Sequence, residues 1–290
     1  MKRRPIVVLA CIVLVFLAVC ISLYQARQNP TSAFNDMLAT NLSTPGVTRV
    51  FTQSGSGLSV AQYTQLNFGA HPTARALTIF MQGSGSIATE QIGDQTHDFV
   101  RYQKIVTTAK NAAGKPIDAS SVVGKWAALQ ANSAFSSSVT SGLFEQSLAG
   151  ILPIANLQPA DRTQILADMH NDQVFTFTAK NVKTVQLDGR KTYQYAVSIR
   201  PGAYIAMMQH FGKLVGAKGF DSLNPNDYAA AEAISATVWV DARSHELAQV
   251  EQGTGGRVER YVAFGVASNP SLPKATLTTT ELAKRVTELQ

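Results

Sequence analysis

The chain has 290 residues, 25 Lys and Arg against 19 Asp and Glu, and a formal charge of +6. Lys2, Arg3 and Arg4 supply half of that excess, and no later block of bases stands out, which excludes a nucleic-acid interface of the electrostatic kind. Both cysteines, Cys11 and Cys20, lie in the N-terminal apolar run, so disulfides, thiolate zinc sites and a cysteine nucleophile are excluded from everything that follows.

Residues 1–4 read as a basic cytoplasmic N-terminus and residues 5–24 as a transmembrane signal-anchor. Ile6 to Leu23 is a run of 18 residues without a charge, and as a helix it spans about 27 Å, close to the hydrocarbon thickness of a bilayer. The next charge is Arg27, so the basic side stays in the cytoplasm and the remainder is carried outside. Two other export readings compete. Ala18-Val19-Cys20 is a poor signal-peptidase site, and Leu17-Ala18-Val19-Cys20 resembles a lipoprotein signal in which Val19 departs from the pattern. All three place residues 25–290 outside the membrane. A cysteine-free exported part points to a bacterial cell envelope, where the Asn41-Leu42-Ser43 sequon is silent.

Residues 25–31 form a polar linker with Pro30, and residues 32–290 are expected to form a single extracytoplasmic domain. Phe34, Met37, Leu38 and Leu42 have helical spacing over 32–42, and Pro45-Gly46 breaks that helix. Strands follow at Val47–Gln53, Val60–Phe68, Ala74–Gln82 and Asp98–Thr107, separated by Gly/Ser turns, the pattern of an antiparallel meander. Residues 133–172 read as helical, with stripes at Leu143–Leu152 and Ile165–Met169. A second strand block then opens with Val174–Thr178. Val182–Leu187 and Lys191–Ile199 flank Asp188-Gly189, a two-residue turn that needs positive φ. A helix over 203–217, a short one over 228–234, strands at 237–240, 247–251 and 258–266, and a terminal helix opened by the capping pair Thr278/Glu281 complete the chain. The fold class is α+β: one domain built on a continuous, curved antiparallel sheet of nine or ten strands.

Two stretches carry a family resemblance. The hairpin Val238-Trp239-Val240-Asp241-Ala242-Arg243-Ser244-His245-Glu246-Leu247-Ala248-Gln249-Val250-Glu251, and the strand Gly189-Arg190-Lys191-Thr192-Tyr193-Gln194-Tyr195-Ala196-Val197, resemble features of the LolA/LppX-like lipoprotein-carrier superfamily. The resemblance covers about 80 residues, from 174 to 260. It implies an unclosed half-barrel whose concave face is covered by helices, and a hydrophobic ligand such as a lipid acyl chain held between the two.

Catalytic and metal chemistry is hard to find. His71, His97, His170, His210 and His245 show no metal-ligand spacing, and His71 and His245 read as solvated loop residues. Ser54-Gly55-Ser56-Gly57 and Gly83-Ser84-Gly85 read as hairpin turns rather than nucleophile elbows. Asp94 with Asp98 and Asp168 with Asp172 read as solvated surface pairs, so neither an enzyme nor a cofactor is expected. What remains is apolar surface. Phe175, Phe177, Tyr193, Tyr195, Val197, Tyr204, Met207, Met208, Phe211 and Trp239 are the candidate lining of a pocket between sheet and helices, with flexible methionines suited to acyl chains. The same spacing equally describes a packed core. The expected function is therefore membrane-anchored binding of a lipid or other hydrophobic ligand. An envelope structural or interaction module with a protein partner, and an exported hydrolase, are the alternatives.

Overall fold

Glycine-closed hairpins set the first half of the chain. In the computed structural model, which describes residues 29–111, 114–129, 142–253, 255–268 and 270–289, strands β1 (Gly46–Gly55), β2 (Leu58–Asn67), β3 (Thr73–Gln82), β4 (Gly85–Gly93) and β5 (Asp98–Val106) form an unbroken antiparallel meander. The register runs to the turns themselves, with Gly55 opposite Leu58 and Gln82 opposite Gly85. Strand β4 adds to the four strands read from the sequence in this block.

Short β6 (Ala127–Leu129) pairs with β5, and β13 (Leu277–Thr278) joins β6 in parallel. On the other side β1 pairs with β12 (Val258–Val262), followed by β11 (Leu247–Gln252), β10 (Ile234–Asp241) and β9 (Arg190–Ile199). Strand β9 meets both β7 (Phe175–Thr176) and β8 (Lys183–Leu187). Among the described residues thirteen strands form one curved sheet that does not close, since β13 ends one side and β7 the other. The Asp188-Gly189 turn has positive φ at both residues, as its hairpin requires.

Among the described residues five helices accompany the sheet: α1 (Pro30–Asn41), α2 (Leu143–Leu148), α3 (Pro159–Asn171), α4 (Pro201–Val215) and α5 (Thr279–Thr287). The main core joins α1, α3, α4 and the segment 152–157 to Val47, Leu66, Tyr193, Tyr195, Val238, Val250 and Tyr261 on the inner face of the sheet. A smaller core lies at the β5–β6–β13 side, where Leu282 of α5 meets Val100, Val122, Ala127 and Leu277. The helix-opening pair forms a full capping box, with Thr278 Oγ1 accepting the Glu281 N–H and the Glu281 carboxylate accepting the Thr278 N–H.

Several expectations change. Pro30 belongs to α1 rather than to a linker: Asn29 caps the helix and proline occupies its first turn, where a missing N–H costs nothing. The apolar stripe from Leu143 does not stay helical to Leu152. Helix α2 ends at Leu148, and the chain beyond Gly150 lies along α1, with Ala155 N–H donating to Asn41 O and Leu157 N–H to Leu42 O. Leu152, Ile154, Ala155 and Leu157 are buried by that route. Residues 228–234 are not a helix either. A single 3-10 turn spans Pro225–Tyr228, and Ile234 pairs with Ile199 as the first residue of β10, so sheet pairing overrides the helix propensity of the alanines. Only Phe175 and Thr176 of the strand expected at 174–178 pair with the sheet. The expected helical residues 133–141 and the transmembrane anchor lie outside the described residues. No helix among the described residues is long and apolar enough to cross a membrane.

Candidate functional site

Helix α4 carries most of the candidate residues. Pro201 opens it, and Ile205, Met207, Met208 and Phe211 form its buried stripe. Gly216 ends it with φ +73, and the Ala217 N–H returns to the Gly212 carbonyl at 2.8 Å. That return brings Ala217 O so close that a Cβ on Gly212 would sit 2.7 Å from it, so only glycine fits at 212.

The turn leaves an apolar pocket of about 250 Å³ between α2 and α4. Leu148 and Ala149 form one wall together with Glu145 and Gln146, Met208, Phe211 and Gly212 form the other, and Ala217, Gly219 and Phe220 close the end. Polar contacts hold the frame. Asp98, at the start of β5, accepts the Leu143 N–H with both carboxylate oxygens at 3.1 Å and so fixes the start of α2. Glu145 accepts the Lys218 N–H, Gln95 donates to Val215 O at 2.9 Å, and Gln209 donates to Phe220 O at 2.9 Å. Asp98 therefore does not form a solvated pair with Asp94. Its burial raises its pKa, against the lowering pull of the Leu143 N–H, and the Asp94 charge raises it further. Asp94 moves the other way: partial burial acts upward, but hydrogen bonds from Thr96 and His97 prevail and lower it.

A second pocket of about 250 Å³ lies between α1 and α3, lined by Phe34, Leu38, Leu166, Met169, Phe175 and Phe177 among others. Between the two pockets the interior is filled. Phe34 packs against Phe177 at 4.8 Å and against Tyr195 at 5.1 Å between ring centroids, and Phe177 packs edge-on to Tyr195. The Tyr195 hydroxyl donates to Pro30 O at 2.6 Å, and its burial raises the phenol pKa above the usual range.

The candidate residues are thus spread over several places. Met208 and Phe211 line the α2–α4 pocket, while Phe175 and Phe177 line the α1–α3 pocket. Tyr204 stands between them, its ring edge-on to Phe175 and to Phe220 and its hydroxyl donating to Gly150 O. Tyr193, Tyr195, Val197 and Met207 are buried in the main core, and none of them lines either pocket. Trp239 does not join them. Val238 and Val240 on either side of it belong to the core, and Trp239 lies opposite Gln194 and Gln249, so the two-residue period of the strand turns it to the outer face. Leu148, Ala217 and Phe220 were not singled out as pocket residues. The return of the chain after Gly216 brings Ala217 and Phe220 to α4, and the packing of α2 brings Leu148 there.

The histidines divide as well. His210 Nδ1 lies 2.6 Å from Asp168 Oδ2, tying α4 to α3, so Asp168 is not a free surface carboxylate. His245 is buried rather than solvated: it sits at φ +57 in the β10–β11 turn with Nδ1 2.9 Å from Asp36 Oδ2 of α1. Among the described residues no group of three or more His, Cys, Asp and Glu could hold a metal ion.

No protein-family model matches the chain, and no curated protein is found similar to it. Among solved structures it is similar to LprF from Mycobacterium bovis, at 11% identity and a TM-score of 0.39, over 86% of this chain and 97% of that one.

Proposed function

We propose that the chain is a membrane-tethered extracytoplasmic binding protein that holds a lipid acyl chain or a similar hydrophobic ligand against α4. The α2–α4 pocket carries this reading. Its wall is mainly apolar, and Met208 can adjust to variable chains. Of the polar side chains only Glu145, whose carboxylate accepts the Lys218 N–H, and Gln146 reach the lining, at the α2 side. At about 250 Å³ it lies just below the roughly 300–1,000 Å³ of small-molecule sites, the size for one arm of a ligand rather than a whole lipid. The tether is read from the 18 uncharged residues Ile6–Leu23 and the bases before them.

The test is to purify the full chain from membranes and identify what it retains, with a photo-crosslinking amino acid at position 208 and, as control, at exposed position 244 in the β10–β11 turn. Acyl-chain adducts at 208 and not at 244 are expected. Filling the pocket by Met208→Trp should then remove the retained lipid while the melting transition stays cooperative. A lipid-free protein with no adduct at 208 would sink the reading. The dense packing of Phe34, Phe177 and Tyr195 favours a second reading, a structural or interaction module of the envelope. Protein adducts in place of lipid adducts would support it.

A further inference from the structure

The far end of the meander is unlike the rest of the surface. Between Arg49 and Arg75, and again between Arg75 and Glu90, no residue carries a formal charge, so both hairpin tips, β1–β2 and β3–β4, are charge-free. They are nevertheless exposed. Leu58, Phe80, Met81, Ile87 and Val106 are 39–44% accessible, as is Tyr63 further up β2.

Register divides these side chains between both faces of the sheet. Leu58, Phe80 and Ile87 share the inner face with Leu66 and Ala74, whereas Tyr63, Met81 and Val106 alternate to the outer face. On the inner face Val60, Phe80, Ile87 and Ile105 are direct cross-strand neighbours and form one apolar row. The charges at this end are mainly basic, although Asp118, three residues beyond Lys115, is an exposed carboxylate. Lys104 stands opposite Ala88 on the outer face, and Lys110 and Lys115 lie in the loop whose Thr108 reaches Ser84 at the β3–β4 turn. Glu90, the nearest carboxylate in these strands, is buried between Arg75 at 2.6 Å and Arg101 at 2.5 Å.

We infer that the β1–β2 and β3–β4 tips dock into the interfacial layer of an anionic lipid bilayer, with Lys104, Lys110 and Lys115 meeting its headgroups. A protein surface would cover one face of the sheet, whereas apolar side chains here project from both faces at once, which suits a medium that surrounds the tip. The strands remain paired up to Gly55–Leu58 and Gln82–Gly85, so little unpaired backbone would enter the apolar layer. Tyr63, one row above Lys104, has the amphipathic ring favoured at headgroup depth. This inference rests on the extracytoplasmic, membrane-tethered reading but not on the α4 pocket.

The full chain, carrying a genetically encoded solvatochromic amino acid at position 87, would be reconstituted into phosphatidylcholine vesicles with and without phosphatidylglycerol. Flotation that survives an alkaline wash reads the tether, and the emission at 87 reads the tip. Expected are a blue shift larger with phosphatidylglycerol, quenching by shallow spin-labelled lipid, partial reversal by salt, and loss of the shift in Leu58→Asp/Phe80→Asp. Both substitutions are at exposed positions, and the same label at position 244, at the opposite end of the sheet, should emit as in water throughout. Wash-resistant flotation with water-like emission at 87 overturns the tip inference and leaves the tether standing. A lipid-quenched blue shift on vesicles that lose the chain in the wash keeps the tip and sinks the tether. A shift that rises with protein density and ignores spin-labelled lipid assigns the surface to a second copy and overturns the inference.

Discussion

Strands β9 and β3 are both ten residues long, yet they are buried very differently. On β9, Tyr193, Tyr195, Val197 and Ile199 all point into the main core at 4% exposure or less, and the buried run extends to the last residue of the strand. On β3, burial stops after Ala76, and Phe80 and Met81 near its end are about 40% exposed. Strands this long reach roughly 33 Å. Around β9, α1 and α4 with their connecting segments supply buried residues of the main core, whereas among the described helices it is the six-residue α2 that packs against β3. Apolar residues of equal hydrophobicity therefore serve as core in one half and as surface in the other. The difference comes from what lies over them.

The largest expected effect tests that contrast directly. Phe34→Ala empties the site between Phe177 and Tyr195 and should cost about 3–5 kcal/mol, whereas exposed Phe80→Ala should stay within about 0.5 kcal/mol. Urea unfolding of both variants checks this, and equal costs would break the comparison. Next comes the buried ionic contact of the meander. Glu90→Gln leaves Arg75 and Arg101 without their shared carboxylate and should cost about 2 kcal/mol, less than a fully enclosed pair because Arg75 is 44% exposed. Retention of stability in thermal melts would show that the two arginines are satisfied by solvent. Thr278→Ala removes the cap of α5, the helix over the smaller core, and should cost about 1 kcal/mol. Hydrogen exchange should rise in α5 and β13 while α4 stays unchanged.

The smallest effect is one of sign. The pKa of Asp98 is raised above 3.8 by folding, so its charged form weakens the fold above the folded-state pKa. Asp98→Asn should therefore narrow the stability lost between acid and neutral pH. Asp94 is lowered from the same value, so its contribution is present above 3.8 and lost as pH falls through the folded pKa. Asp94→Asn should lower stability at neutral pH and flatten the acid limb. Melting temperatures of the two variants across that range should diverge, and parallel curves would remove the distinction between the two carboxylates.

Much of the fold could be read from local signals. The Asp188-Gly189 turn, the Thr278/Glu281 capping box and the alternation of Tyr193, Tyr195 and Val197 all appear where short-range chemistry places them. The site was less legible. Trp239 looked like a lining residue beside two valines, but strand parity turns it away from them. His245 looked solvated in its turn, yet Asp36, 209 positions earlier, lies within 2.9 Å of it. Leu148 and Phe220 gave no sign of facing the same space.

The sequence alone determined the Asp188-Gly189 turn, the capping of the last helix, the α+β class and the charge-free character of the meander tips, because periodicity, φ preference and charge act over a few residues. Sheet pairing decided residues such as Ile234 against their local helix propensity. Tertiary structure alone decided which apolar stripe became core, which became pocket and which stayed exposed. Burial depends on whatever else the chain brings over a given face. Here a glycine-permitted return after α4 opened a pocket beside Met208, and the shortness of α2 left Phe80 at the surface.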